Sequence, residues 1–82
     1  MTKETKLRTI LDQLMNDAVA IEFNRTWQRD EATNRYTRGE INFSTYYQRA
    51  MEINAHAVEK TDKSITNTIN KIYEIMEGKN NG

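Results

Sequence analysis

Apolar residues recur early in the chain at Leu7, Leu11, Leu14, Ala18 and Ile21, in steps of four and three that trace one stripe of an α-helix. Towards the other end Met51, Val58, Ile65 and Ile72 repeat every seven residues, with Ile69 and Met76 on the same side. Alternation of apolar and polar residues, the mark of a half-buried strand, is hard to find over more than about four positions. The pattern predicts an all-α fold.

Between the two stripes lies RYTRGEINF, which holds Gly39, the only internal glycine. Glycine suits a helix end that must turn with φ > 0. Asn42 is then placed to cap the next helix, its side-chain oxygen accepting an otherwise orphaned N–H. Ile41 and Tyr46 flank that cap at the positions of a hydrophobic staple. These signals predict helices over about residues 4–36 and 43–77, each roughly 50 Å long at 1.5 Å per residue. Gly78 stands where a C-terminal cap belongs. A single helical domain over 1–77 is expected, with residues 78–82 as a flexible tail.

Two helices of similar length joined by a short turn make an antiparallel hairpin. Folding about Gly39 sets Leu7 near Ile72, Leu14 near Ile65, Ile21 near Val58 and Tyr36 near Phe43. Two polar gaps interrupt the arms: residues 28–35 hold only Ala32 as an apolar residue, and 59–64 hold none. A break near 61–64, giving a three-helix bundle, is the alternative. Asn54, Thr61 and Thr68 flank the second stripe, either as boundary positions or as a register device of the coiled-coil kind.

The first helix carries a second ridge, Met15, Val19, Phe23 and Trp27, spaced by four. With the main stripe it makes an apolar arc wider than the ~100° of a simple surface helix. A lone hairpin leaves that ridge in water, so dimerisation into a four-helix bundle is expected, with these four residues as the oligomerisation surface.

Composition narrows the function classes. The chain has 82 residues, enough for one small domain, with 37% apolar and 29% charged residues. Twelve Lys and Arg balance twelve Asp and Glu, so no net field draws it to nucleic acid or anionic lipid. The absence of Cys removes disulfides, zinc–thiolate sites and thiol catalysis. The N-terminus lacks the apolar run of a secretory signal, and no stretch approaches the roughly 18–20 apolar residues that span a bilayer. No membrane association and a cytoplasmic location are the expectation.

Catalytic chemistry finds little footing. Glu52, the single histidine His56 and Glu59 share one side of the second helix, but a di-iron bundle needs Glu-x-x-His, and here the spacing is Glu-x-x-x-His. Ser44 and Ser64 have no evident base or oxyanion hole. There is no phosphate-binding glycine loop, no HExxH and no calcium loop. The chain is therefore expected to be no enzyme and to need no cofactor or metal.

Arginine and aromatics are unevenly placed: all Arg but Arg8 and all aromatics but Tyr73 fall within residues 23–49. Arg, Trp and Tyr are enriched at binding hot spots. Alternatively, the aromatics close the bundle end while the arginines pair with Glu22, Asp30, Glu31 and Glu40. The expectation is an interaction protein that inhibits or bridges a protein partner, its surface centred on Trp27, Arg29, Tyr36 and Arg38 and supported by Tyr46, Tyr47 and Arg49. Composition alone suggests a phage-type inhibitor of a host or defence complex, such as an anti-CRISPR. The second reading is a nucleic-acid-binding regulator using the same end of the hairpin, although a nearly neutral patch gains little from counterion release.

Overall fold

A computed structural model describes residues 2–78 as two helices, α1 (Lys3–Thr37) and α2 (Phe43–Met76), packed as an antiparallel hairpin. Both agree with the predicted ranges within one residue at each end. Thr2, a cap that the hydrophobic pattern does not reveal, accepts the Thr5 N–H on its hydroxyl oxygen at 3.1 Å. The tail residues 79–82 lie outside the described residues.

The turn forms as its residues dictate. Gly39 adopts φ +77°, which lets its N–H reach the Tyr36 carbonyl at 3.0 Å and the Glu40 N–H reach the Arg35 carbonyl at 2.9 Å. This is a Schellman cap, and it answers two carbonyls that α1 would otherwise leave unpaired. Three residues on, the Asn42 side-chain oxygen accepts the Thr45 N–H at 2.8 Å and opens α2, with Ile41 and Tyr46 half-buried on either side. Gly78 turns in the same left-handed way (φ +73°) and donates to the Ile75 carbonyl at 3.2 Å.

No break occurs near 61–64; α2 is one helix, and the three-helix alternative is set aside. The polar run 59–64 faces water for the most part, with Lys63 salt-bridged to Glu59 at 3.4 Å and the Thr61 hydroxyl donating to the Ala57 carbonyl at 2.8 Å. Such residues decorate a helix without ending it, because neither Pro nor Gly interrupts the backbone ladder.

The seam between the helices differs from the predicted one. Met51, Val58 and Ile65 are exposed on the outside of α2, and only Ile72 of that heptad row is half-buried. On α1, Leu7, Leu14 and Ile21 reach the seam as expected, whereas Leu11 and Ala18 are exposed. The contact is made instead by Ile53, Ala57, Ser64, Thr68 and Ile75 against Ile10, Leu14, Ile21 and Ala32. These positions recur at eleven residues (Ile53, Ser64, Ile75; Ala57, Thr68; Ile10, Ile21, Ala32), a period close to that of a straight α-helix. The row Met51, Val58 and Ile65 lies outside because each stands one residue after a seam position (Ala50, Ala57, Ser64), about 100° further round the helix.

Small side chains dominate this seam, and polar ones cross it. The Ser64 hydroxyl donates to Asp17 at 3.0 Å, and Arg25 reaches the Asn54 side-chain oxygen at 3.4 Å. Thr68 is buried in the seam, where its hydroxyl is satisfied by the Ser64 carbonyl at 2.8 Å. Asn54 and Thr61 are exposed, so they sit at the boundary. The result is a rod of 57 × 16 × 13 Å with a radius of gyration of 18.3 Å, against about 12 Å for a compact chain of this length. Among the described residues, the buried apolar side chains are only Ala32 and Ile75, and no large side chain is fully enclosed.

Candidate functional site

The turn end gathers four of the expected aromatics. Tyr36 stacks on Tyr46 with ring centroids 5.2 Å apart and meets the edge of Phe43 at 6.0 Å, the cross-turn pair expected from folding about Gly39. Phe43 in turn stacks on Tyr47 at 6.2 Å, and the Thr33 and Tyr46 hydroxyls lie 3.3 Å apart. These rings close the end of the hairpin, where a two-helix layer has nothing else to bury.

Three arginines of the segment are occupied by neighbouring carboxylates. Arg25 grips Glu22 through two hydrogen bonds of 2.7 and 3.1 Å, Arg38 pairs with Glu40 at 2.6 Å and Arg35 with Glu31 at 3.6 Å. The hydrogen bond from Arg25 holds the Glu22 carboxyl below its ordinary 4.5, helped by the charges of Arg25 and Arg29. Arg29 and Arg49 make no ion pair among the described residues. With most of its guanidinium charge already answered, this end presents no basic stripe for phosphates.

The expected partner surface is not one patch. Trp27 lies nine residues before Tyr36, which sets the two half a turn apart around α1 and roughly 13 Å apart along it. Arg29 shares the Tyr36 side of α1, as their seven-residue spacing requires. Arg49 instead borders a shallow groove on the other side of the hairpin, with Gln28, Glu31, Arg35, Glu52 and His56. Trp27 stands with Phe23 on the surface of α1 that faces away from the seam; they are 59% and 71% exposed.

The ridge expected to oligomerise also divides. Met15, Val19, Phe23 and Trp27 are all exposed, as is Leu11 of the main stripe before them, and each step of four turns about 40° further round α1. By helical phase Met15, the start of the ridge, lies on the same broad side of the hairpin as the outer row of α2, and its end has wound round the back. That outer row, Phe43, Tyr47, Met51, Val58, Ile65, Ile69 and Met76, is exposed along α2, and at Val58 it is interrupted by a groove lined with Glu22, Arg25, Asn54, Thr61 and Asp62. The heptad spacing announced it, but as a seam rather than as a surface. On the opposite side of the hairpin the groove walls are polar, with Asn24, Lys60, Lys63 and Asn67.

Glu52 and His56 share a groove, yet no group of three or more His, Asp or Glu side chains suited to a metal ion forms among the described residues. Ser44 is exposed at the start of α2, and Ser64 is committed to Asp17. No helix among the described residues is long and apolar enough to cross a membrane. Compared with known proteins, the chain matches no family model, no curated protein and no solved structure, so its surface chemistry alone carries the functional reading.

Proposed function

We propose that this protein is a non-enzymatic helical interaction module that inserts the Phe23–Trp27 pair of α1 into a protein partner and thereby blocks or bridges it. The observation that carries the reading is the exposure of the single indole beside a phenyl ring four residues away, on the side of α1 that α2 leaves uncovered. Two adjacent aromatic side chains on a rigid helix form the anchor of a helix-in-groove contact. Trp contributes large apolar area at low conformational cost, which is why it dominates hot spots. The rigid scaffold of the hairpin holds both rings in place before binding, so little ordering is left to oppose association.

The test has two parts. A partner recovered from the native host by pull-down and identified by mass spectrometry is titrated calorimetrically with the wild type and with Trp27→Ala. Loss of an anchor costs more than about 2 kcal/mol, a weakening of roughly thirtyfold or more. Unchanged affinity with helicity intact sinks the proposal. Independently, the indole of the free protein is open to a neutral quencher and becomes shielded in the complex.

A further inference from the structure

We infer that the partner which receives the Phe23–Trp27 pair is a protein whose apolar cleft is bordered by Lys and Arg side chains; this rests on the anchor reading above and adds the partner's charge. By helical phase Asp12 and Asp30 stand on the same side of α1 as the two rings. They are eighteen residues apart, five full turns, so they share one line along the helix, about 27 Å from end to end. Phe23 lies between them and within about 20° of that line, and Trp27 lies about 60° round from it, less than one turn before Asp30. Both carboxylates are exposed, and neither makes an ion pair among the described residues.

The neighbouring cations are turned away from this face. Arg25 grips Glu22, and the charge of Arg29 acts on the same carboxylate, on the broad side that carries the outer row of α2. Arg35 holds Glu31 on the opposite, polar side. Among the described residues Arg8 is the one cation of α1 on the aromatic side; Glu4 holds it at 3.8 Å, and it stands fifteen residues before Phe23, roughly 22 Å along the helix. Asn16, Thr26 and Asn34 complete the face without charge. The formal neutrality of the chain therefore conceals a side on which an apolar anchor sits between unpaired acids. Carboxylates at the edge of an apolar contact lose water on binding, so they penalise an acidic rim and favour a basic one. The same charge repels phosphate chains and anionic lipid. Two copies of this face set antiparallel would bring Asp12 of each against Asp30 of the other, like charge against like.

The single Trp makes this face its own reporter. The probes are two synthetic amphipathic helical peptides without Trp, sharing one leucine face and carrying either Lys or Glu at every polar position. The lysine peptide is expected to shift the indole emission to the blue and to shield it from acrylamide, binding at least about tenfold more tightly than the glutamate peptide at low salt. Added salt should shrink that ratio. Asp12→Lys with Asp30→Lys, both at exposed positions, should invert the order while circular dichroism stays unchanged. The same change of net charge placed on α2, Glu52→Lys with Glu74→Lys, should leave the order as it was, which separates a local rim from overall charge. Equal affinity for both peptides in the wild type, or an order that the Asp12 and Asp30 substitutions do not alter, overturns the basic rim and leaves the anchor reading standing. Failure of either peptide to shield the indole overturns it as well, while the anchor reading still answers to the Trp27→Ala titration. A lysine peptide held as tightly by Phe23→Ser as by the wild type takes down the anchor and the basic rim together.

Discussion

The inner and outer surfaces of α2 are built from similar residue types and face opposite fates. Ile75 is 6% exposed and Ile69, six residues earlier on the same helix, is 47% exposed. Hydropathy cannot tell them apart; phase does. Inward positions include small residues (Ala57, Ser64, Thr68), which let the two backbones come close. The outward row Met51, Val58 and Ile65 stands one residue on from Ala50, Ala57 and Ser64, about 100° further round the helix, and its side chains are large. Burial within the hairpin thus selects by phase and size together, and the most regular apolar row in the chain is the one left outside.

That contrast is broken or sharpened most strongly at the two isoleucines. Ile75→Ala removes a buried side chain from a thin seam and should destabilise by about 2–4 kcal/mol in a denaturant titration, equally at every protein concentration. Ile69→Ala should cost well under ~1 kcal/mol in the same titration, because that side chain is exposed in the hairpin. Equal costs would erase the distinction between the two surfaces.

The next effect is local. Ala at Gly39 meets no atom within 4 Å, so its cost comes from backbone conformation alone at φ +77°. About 1 kcal/mol is expected, as for the left-handed region generally. Asn42→Ala, which removes the cap of α2, should cost a similar ~1 kcal/mol. Both losses should appear in thermal melts without change in helical content, since the turn aligns two surfaces that packing then holds.

The smallest effect is electrostatic. Glu22 titrates below 4.5 in the folded chain because Arg25 hydrogen-bonds its carboxylate, and Arg25 also reaches Asn54 across the seam. A folded pKa below the unfolded one means that this contribution is present above the unfolded value and is lost as pH falls through the folded one. Melting temperature should therefore decline slightly on the acid side of 4.5, and Glu22→Gln should flatten that part of the profile. Glu22 is exposed and Arg25 only partly covered, so the slope should also shrink with added salt.

Local signals made much of this architecture legible in advance. Gly39 with Asn42 placed the turn, and the absence of Pro and of other internal Gly allowed two long helices. Tyr36 and Phe43 could be paired because they lie symmetrically about Gly39. Other features were hidden. Thr2 as a cap left no trace in the apolar pattern, and the Asp17–Ser64 bond joins residues far apart in the chain, each an ordinary surface type. The separation of Trp27 from Tyr36 followed from helical phase, yet the clustering of Arg and aromatics along the chain pointed the other way.

What the sequence alone determined, then, is that the chain is helical, where the turn lies and which residues cap its two sides, because caps and glycine conformations act over a few residues and need no partner; that the second arm runs unbroken past 61–64 came from the structure. Only the tertiary structure decided which face of each helix is inside. Two apolar rows compete for one seam in α2, and the choice rests on how closely two backbones can approach over 57 Å, a property of both helices together. The row whose phase faced the neighbouring helix and whose side chains let it come close was buried, and the other was left exposed.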